Sequence, residues 1–109
     1  NVDHSLALSM ANELSRIRQN LNYMDSSVKG VSQLKTRAKA MFVALSTKGY
    51  DVPDLIGTEY HDGDNYIVTM EYNDAVPVGV SRIKRVIKPL VLFNREMIQA
   101  PEVVVEYNE

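Results

Sequence analysis

The stretch MANELSRIRQNLNYMDSSVKGVSQLKTRAKAMFVAL, residues 10–45, decides the fold. Apolar side chains recur in it at alternating steps of four and three: Met10, Leu14, Ile17, Leu21, Met24, Val28 and Val31, then, past Lys35, Ala38, Phe42 and Leu45. Such steps average 3.5 residues per turn, the spacing of a coiled-coil seam. From Asp3 to Lys48 there is no proline, and Gly30 is the single interior glycine, so one helix can run through the whole stretch. Asp3 or Ser5 can cap its start. Lys48-Gly49 supplies a cation at the negative end, followed by the residue best suited to a left-handed cap.

A rod of this length spans roughly 60 Å at 1.5 Å per residue, more than the remaining chain can cover, so its seam predicts self-association. With Leu14 at a, Glu13 takes a g position and Arg18 the following e position, the pair that meets between chains of a parallel two-stranded coil. Leu34 and Met41 widen the apolar face towards the end, as suits a bundle. The competing organisation is a helical hairpin broken at Asp25-Ser26-Ser27, with a second helix beginning near Val28. The unbroken heptad register favours the continuous helix.

After Gly49 the period changes. Residues 50–64 hold Pro53, Gly57, Gly63 and five acidic residues and read as a loop. Strands are predicted at Tyr66–Tyr72, Ser81–Ile87, Leu90–Phe93 and Glu102–Tyr107, with turns at Asn73-Asp74, at Pro77-Val78-Gly79 and at Asn94-Arg95-Glu96 before Met97-Ile98. The expected architecture is α+β and dimeric: a coiled-coil or bundle helix, or helix pair, over residues 3–49, then a small, mainly antiparallel β module over residues 50–109. The interface expected between copies comprises Met10, Leu14, Ile17, Leu21, Met24, Val28, Val31, Ala38, Phe42 and Leu45.

The net charge of −2 conceals an asymmetry. Residues 1–49 hold seven Lys or Arg against three Asp or Glu, whereas residues 50–109 hold five against eleven. With 109 residues, 45% of them hydrophobic and 24% charged, the composition is that of a folded protein. Cysteine is absent, which excludes disulfides, thiolate metal sites and cysteine nucleophiles, and permits a reducing compartment. No apolar run reaches the roughly 18–20 residues that cross a bilayer, so a soluble, cytoplasmic protein is expected. The chain opens on Asn1 rather than Met, as a processed product or a fragment would.

His4 and His61, the only histidines, belong to no metal-binding or triad spacing. Asp62-Gly63-Asp64 with Glu59 lacks the positions of an EF-hand loop and reads as a solvated turn. No GxGxxG or GxxxxGK[ST] occurs. The expectation is no catalysis, no cofactor, no metal and no small-molecule substrate. Arg82, Lys84, Arg85 and Lys88 form the densest basic cluster. It reads either as an edge strand guarded by charge or as a contact surface for an acidic protein. Nucleic acid is a poor match, because the surrounding half is acidic.

The order of these segments resembles the GrpE family, the nucleotide exchange factors of DnaK-type chaperones. Gly30-Val31 followed by Leu34, Ala38, Phe42 and Leu45 and closed by Gly49-Tyr50-Asp51-Val52 is similar to the end of that family's dimeric helical core. Gly57-Thr58-Glu59-Tyr60-His61-Asp62 stands where the family has a glycine, a bulky residue and an Asp-Pro pair. Val76-Pro77-Val78-Gly79 resembles its proline-glycine turn, and residues 92–105 resemble its closing hairpin and valine-rich strand. The chain departs from the pattern at Asn65-Tyr66-Ile67 in place of His-Glu-Ala, at Arg95-Glu96 in place of Gly-Arg, and at Gln99 in place of the second arginine.

The resemblance implies a homodimeric co-chaperone that binds the ATPase domain of a DnaK-type chaperone and promotes ADP release. Its implied contacts are Gly57, Pro77, Gly79 and the hairpin residues Asn94, Arg95, Met97 and Gln99, with Arg82, Lys84 and Arg85 adding electrostatic attraction. The alternative is a coiled-coil adaptor that presents its β module to an unrelated partner.

Overall fold

The first helical run stops at Met24, whose backbone is extended at φ −85° and ψ 145°, and Gly30 stands at the start of the second. In the computed structural model, which describes residues 2–109, Gly30 has φ +93° and stands immediately before α2, Val31–Thr47. A backbone in the left-handed region cannot continue a right-handed helix, and glycine alone adopts it without a Cβ penalty. The helix before it, α1, spans Ser5–Tyr23. Between them the Asp25 carboxylate accepts the Ser27 N–H at 2.9 Å, and the Asp25 carbonyl accepts the Val28 N–H at 3.0 Å, folding the chain back on itself. The structure is thus the helical hairpin and not the continuous rod. The heptad argument failed for a simple reason: the linker Met24–Gly30 is one heptad long, so the apolar register survives a break in the helix.

The start of α1 uses Asp3 as a reversed turn, its carboxylate accepting the Ser5 N–H at 2.9 Å, while His4 occupies the cap position. α2 ends as the sequence indicates. Lys48 and Gly49 donate backbone N–H groups to Leu45 and Ser46, and Gly49 has φ +91°.

Two three-stranded sheets follow. The first orders β1 (Tyr50–Asp51), β4 (Val91–Phe93) and β5 (Glu96–Gln99) as β1-β4-β5, all antiparallel. The second orders β2 (Ile67–Tyr72), β3 (Ser81–Lys88) and β6 (Glu102–Tyr107) as β2-β6-β3. Here β3 is antiparallel to β6 but β2 runs parallel to it, so the module is mixed. β1, read from sequence as loop, is an addition. The parallel pairing arises because the segment after β2 crosses the end of β6. Asn108 holds that crossing: its side chain donates to Val76 C=O at 2.7 Å and its backbone carbonyl accepts the Gly79 N–H at 2.8 Å.

Two apolar cores result. Ala11, Leu14 and Leu45 from the helices meet Tyr50, Val52 and Val91 in one; Leu55, Ile83, Val86, Leu90, Val103 and Val105 form the other. The helices attach along the β3 edge. The Gln19 side chain donates to Val86 C=O at 3.2 Å and accepts Val86 N–H at 2.8 Å, satisfying both edge groups of that residue as a neighbouring strand would. The Cα atoms fill a plate of 42 × 42 × 16 Å, thinner than two stacked helical layers of roughly 10–12 Å each.

Gly30 and Gly49 share the left-handed backbone but differ in surroundings. A Cβ on Gly30 meets nothing within 4 Å, whereas one on Gly49 lies 2.6 Å from the Asn94 side-chain oxygen and 3.3 Å from the Phe93 ring. Gly30→Ala should therefore cost about 1 kcal/mol, and Gly49→Ala about 2–3 kcal/mol. Urea unfolding of both variants checks the difference; equal losses would show that the Asn94 contact constrains nothing.

Candidate functional site

The apolar seam of the helices divides when the hairpin closes. Leu14, Leu21, Val31, Ala38 and Leu45 are buried within the chain, and Phe42 is half-buried under the Arg18 guanidinium, 4.0 Å from its ring centroid. Met10, Ile17, Met24 and Val28 remain exposed, joined by Leu6, Leu34 and Met41. Met10, Met41 and Leu6 border one shallow cleft beside Leu45; Ile17, Leu34 and Met41 border a second beside Leu14 and Ala38. The outer face of the hairpin is thus a continuous apolar surface with Leu6 73%, Leu34 54% and both Ile17 and Met41 46% exposed. Isolated apolar residues on a surface are ordinary, but a contiguous face marks an interaction site.

The interchain pair expected from heptad geometry is not available. Arg18 donates to the carbonyls of Val52 and Pro53 at 3.0 and 3.4 Å and lies 3.9 Å from the Asp54 carboxylate. Glu13 pairs instead with Arg16, on the same helix, at 3.4 Å. An e-position label presumes a straight two-stranded coil; in a hairpin that position faces the chain's own β module.

The residues proposed to contact a partner fall into separate groups. Pro77 and Gly79 are exposed in the crossing loop, at the Ser81–Tyr107 end of the β3–β6 pair. Asn94 and Arg95 form the tip of the β4–β5 hairpin, which joins the sheet beyond the Lys88–Glu102 end. The two groups therefore lie towards opposite ends of β3 rather than side by side. Gly57 sits between them, its N–H donating to Ile83 C=O at 2.7 Å. Met97 is exposed, but the Gln99 amide is engaged within the chain, donating to Asn12 and to Pro89 C=O, both at 2.8 Å.

Asn94 and Arg95 both have positive φ, 48° and 71°, the geometry of the two-residue hairpin turn that favours Asn-Gly. Arg95 thus occupies a glycine position at a conformational cost, and its side chain stands exposed at the tip.

Half of the basic cluster is paired. Arg82 Nε lies 2.9 Å from the Glu106 carboxylate, which also accepts the Asn73 amide at 2.9 Å, and Lys84 lies 3.1 Å from Glu71. Arg85 and Lys88 are exposed. The Asn73 amide, then the Arg82 hydrogen bond and charge, hold the Glu106 carboxyl below the usual carboxylate range against the opposing effect of burial.

His4, which belongs to no metal-binding or triad spacing in the sequence, is half-buried in an aromatic trio. Its ring shares a 2.7 Å hydrogen bond with Tyr50 OH and lies 4.6 Å from Phe93, tying the start of α1 to β1 and β4. No sequence spacing signals such a contact, since its partners are 46 and 89 positions away. Among the described residues no group of three His, Cys, Asp or Glu is placed to hold a metal ion, and no helix is long and apolar enough to cross a membrane. No protein-family model and no curated protein matches the chain.

Because its folded pKa is lowered, Glu106 stabilises the fold above the ordinary glutamate range near about 4.3, and that contribution is lost as pH falls through the lower folded value. Glu106→Gln should cost about 1 kcal/mol or less at pH 7, given the half-exposed Arg82 partner, and flatten the decline of stability on acidification. Urea unfolding between pH 7 and 3 measures both; an unchanged slope would place the acid sensitivity elsewhere.

Proposed function

We propose that the chain is a GrpE-like exchange factor: a homodimer that binds the ATPase domain of a DnaK-type chaperone and promotes ADP release. The observation that carries the dimer is the outer apolar face of the hairpin. A plate 16 Å thick leaves Leu6, Met10, Ile17, Leu34 and Met41 uncovered, and a second copy laid face to face would complete a four-helix bundle from two hairpins. The motif order from Gly30 to Val105 supports the choice of partner.

Exchange needs no bond chemistry. A protein that binds the open ATPase domain more tightly than the closed one shifts the population towards the open state, about tenfold for each 1.4 kcal/mol of preference. The β module supplies the contact in this reading, through the Pro77–Gly79 turn at one end, Gly57 along β3, and the Asn94–Met97 hairpin at the other. Arg82 and Lys84 brace the sheet through Glu106 and Glu71, while Arg85 adds attraction for an acidic surface. Contacts so widely spaced suit a broad protein surface, not a small ligand.

Ile17→Asp with Met41→Asp tests the dimer without cutting into the buried seam, since both residues are about half exposed. Sedimentation equilibrium should show a dimer for the parent protein and a folded monomer for the double variant. Stopped-flow release of a fluorescent ADP analogue from the cognate chaperone tests the function: acceleration by the parent is expected, and none at saturating protein overturns the assignment.

A further inference from the structure

The two edges of the β2-β6-β3 sheet are treated in opposite ways. At the β3 edge, outward groups of Ser81, Ile83, Lys84 and Val86 have partners within the chain. Gly57 N–H donates to Ile83 C=O, Ile83 N–H donates to Thr58 C=O, and Tyr60 N–H donates to Ser81 C=O. Gln19 takes both groups of Val86, and Tyr23 OH reaches Lys84 C=O at 3.4 Å. The same strand carries two register shifts and the charges Lys84, Arg85 and Lys88. These are the devices by which proteins keep an edge from recruiting another strand.

The β2 edge has neither the register shifts nor the cations, and its one charge, Glu71, pairs with Lys84. Its six residues pair with β6 in unbroken register, without proline, lysine, glycine or bulge. Ile67 N–H donates to Pro101 C=O and Asn73 N–H to Tyr107 C=O, so the odd-numbered residues face β6. By the two-residue period of a strand, the N–H and C=O groups of Val68, Met70 and Tyr72 point away from the sheet. Five of the six residues are exposed. Met70 (46% exposed) and Tyr72 (62%), whose ring packs edge-on against Tyr107 at 5.8 Å, form an uncovered apolar rim. This edge lies across the sheet from the helices, so a dimer through the hairpin leaves it open.

Charge selects the occupant. Residues 61–74, which contain β2 and the loop leading into it, carry Asp62, Asp64, Glu71 and Asp74 and no Lys or Arg, Glu71 being paired with Lys84 at 3.1 Å. A second β2 laid against the first would bring like charges together, which opposes self-pairing while favouring a cationic strand. We propose that the β2 edge receives an extended peptide segment of another protein, with Lys or Arg alternating with apolar residues, as a fourth strand. Its backbone would pair with Val68, Met70 and Tyr72, its apolar side chains would pack on the Met70–Tyr72 rim, and its cations would meet the acidic segment. This goes beyond the exchange-factor reading and uses none of its contact residues.

The test uses a fluorescein-labelled decapeptide of alternating lysine and valine, with an alternating glutamate and valine peptide as control. Anisotropy should show saturable binding of the cationic peptide only. At saturation, hydrogen exchange should slow at least tenfold at the Val68, Met70 and Tyr72 amides of the full chain. Met70→Pro removes an outward N–H while sparing the ladder to β6, and should weaken binding at least tenfold with the fold retained. If that variant does not fold, Val68→Pro and the exchange pattern of the parent decide. Binding without protection of those amides, equal binding of the anionic peptide, or undiminished binding by the folded proline variant would overturn the proposal. So would protection that grows with protein concentration alone, which would make the occupant a second copy.

Discussion

The fold-back between Met24 and Gly30 is the constraint on which the remaining structure depends. With the helix ended at Met24 and the linker closed by Asp25 and the left-handed Gly30, α2 returns along α1, and Leu14, Leu21, Val31, Ala38 and Leu45 are buried against the chain's own elements. Each large side chain so removed from water contributes about 1.5–3 kcal/mol before entropy is counted. The return also delivers Tyr50 and Val52 beside Ala11, which creates the core shared by helices and sheet. It leaves α1 free to lay Gln19 along the β3 edge, so the same turn that spoils the rod fixes the β module to the helices.

Within the module, β6 organises the rest. Val103, Val104 and Val105 are all buried, and the strand is flanked on one side by a parallel and on the other by an antiparallel neighbour. β6, which follows β2 and β3 in sequence, is therefore the centre of their sheet, and neither is paired without it. Asn108 then secures the loop that carries the chain from β2 across to β3. The surfaces left over divide the labour: the hairpin face is apolar and broad, the turns and hairpin tip are spread along the module, and the β2 edge offers hydrogen bonds.

Local signals were legible in the sequence and long-range ones were not. The strand at Glu102–Tyr107, the cap at Gly49 and the turn at Asn94-Arg95 follow from β-branched runs and turn chemistry, and each is present. The heptad pattern identified an apolar stripe correctly but could not tell which half would be satisfied within the chain, because a seven-residue linker preserves its phase. The parallel pairing of β2 depends on partners more than thirty positions away, which no local period records. Arg18, Gln19 and Gln99 bind backbone carbonyls or a distant side chain, so composition gives them only as polar residues on a helix or strand.

Pulsed electron–electron spin resonance between labels at Ser9→Cys and Ser46→Cys tests the fold-back most directly. Both sites are exposed and the chain has no cysteine of its own. With labelled protein diluted in unlabelled protein, only distances within one chain contribute. The hairpin places the labelled helices side by side, 8–10 Å between axes, and predicts a distance below about 25 Å once the label arms are included. A single peak near about 55 Å, the length of a continuous helix between these residues, would contradict it.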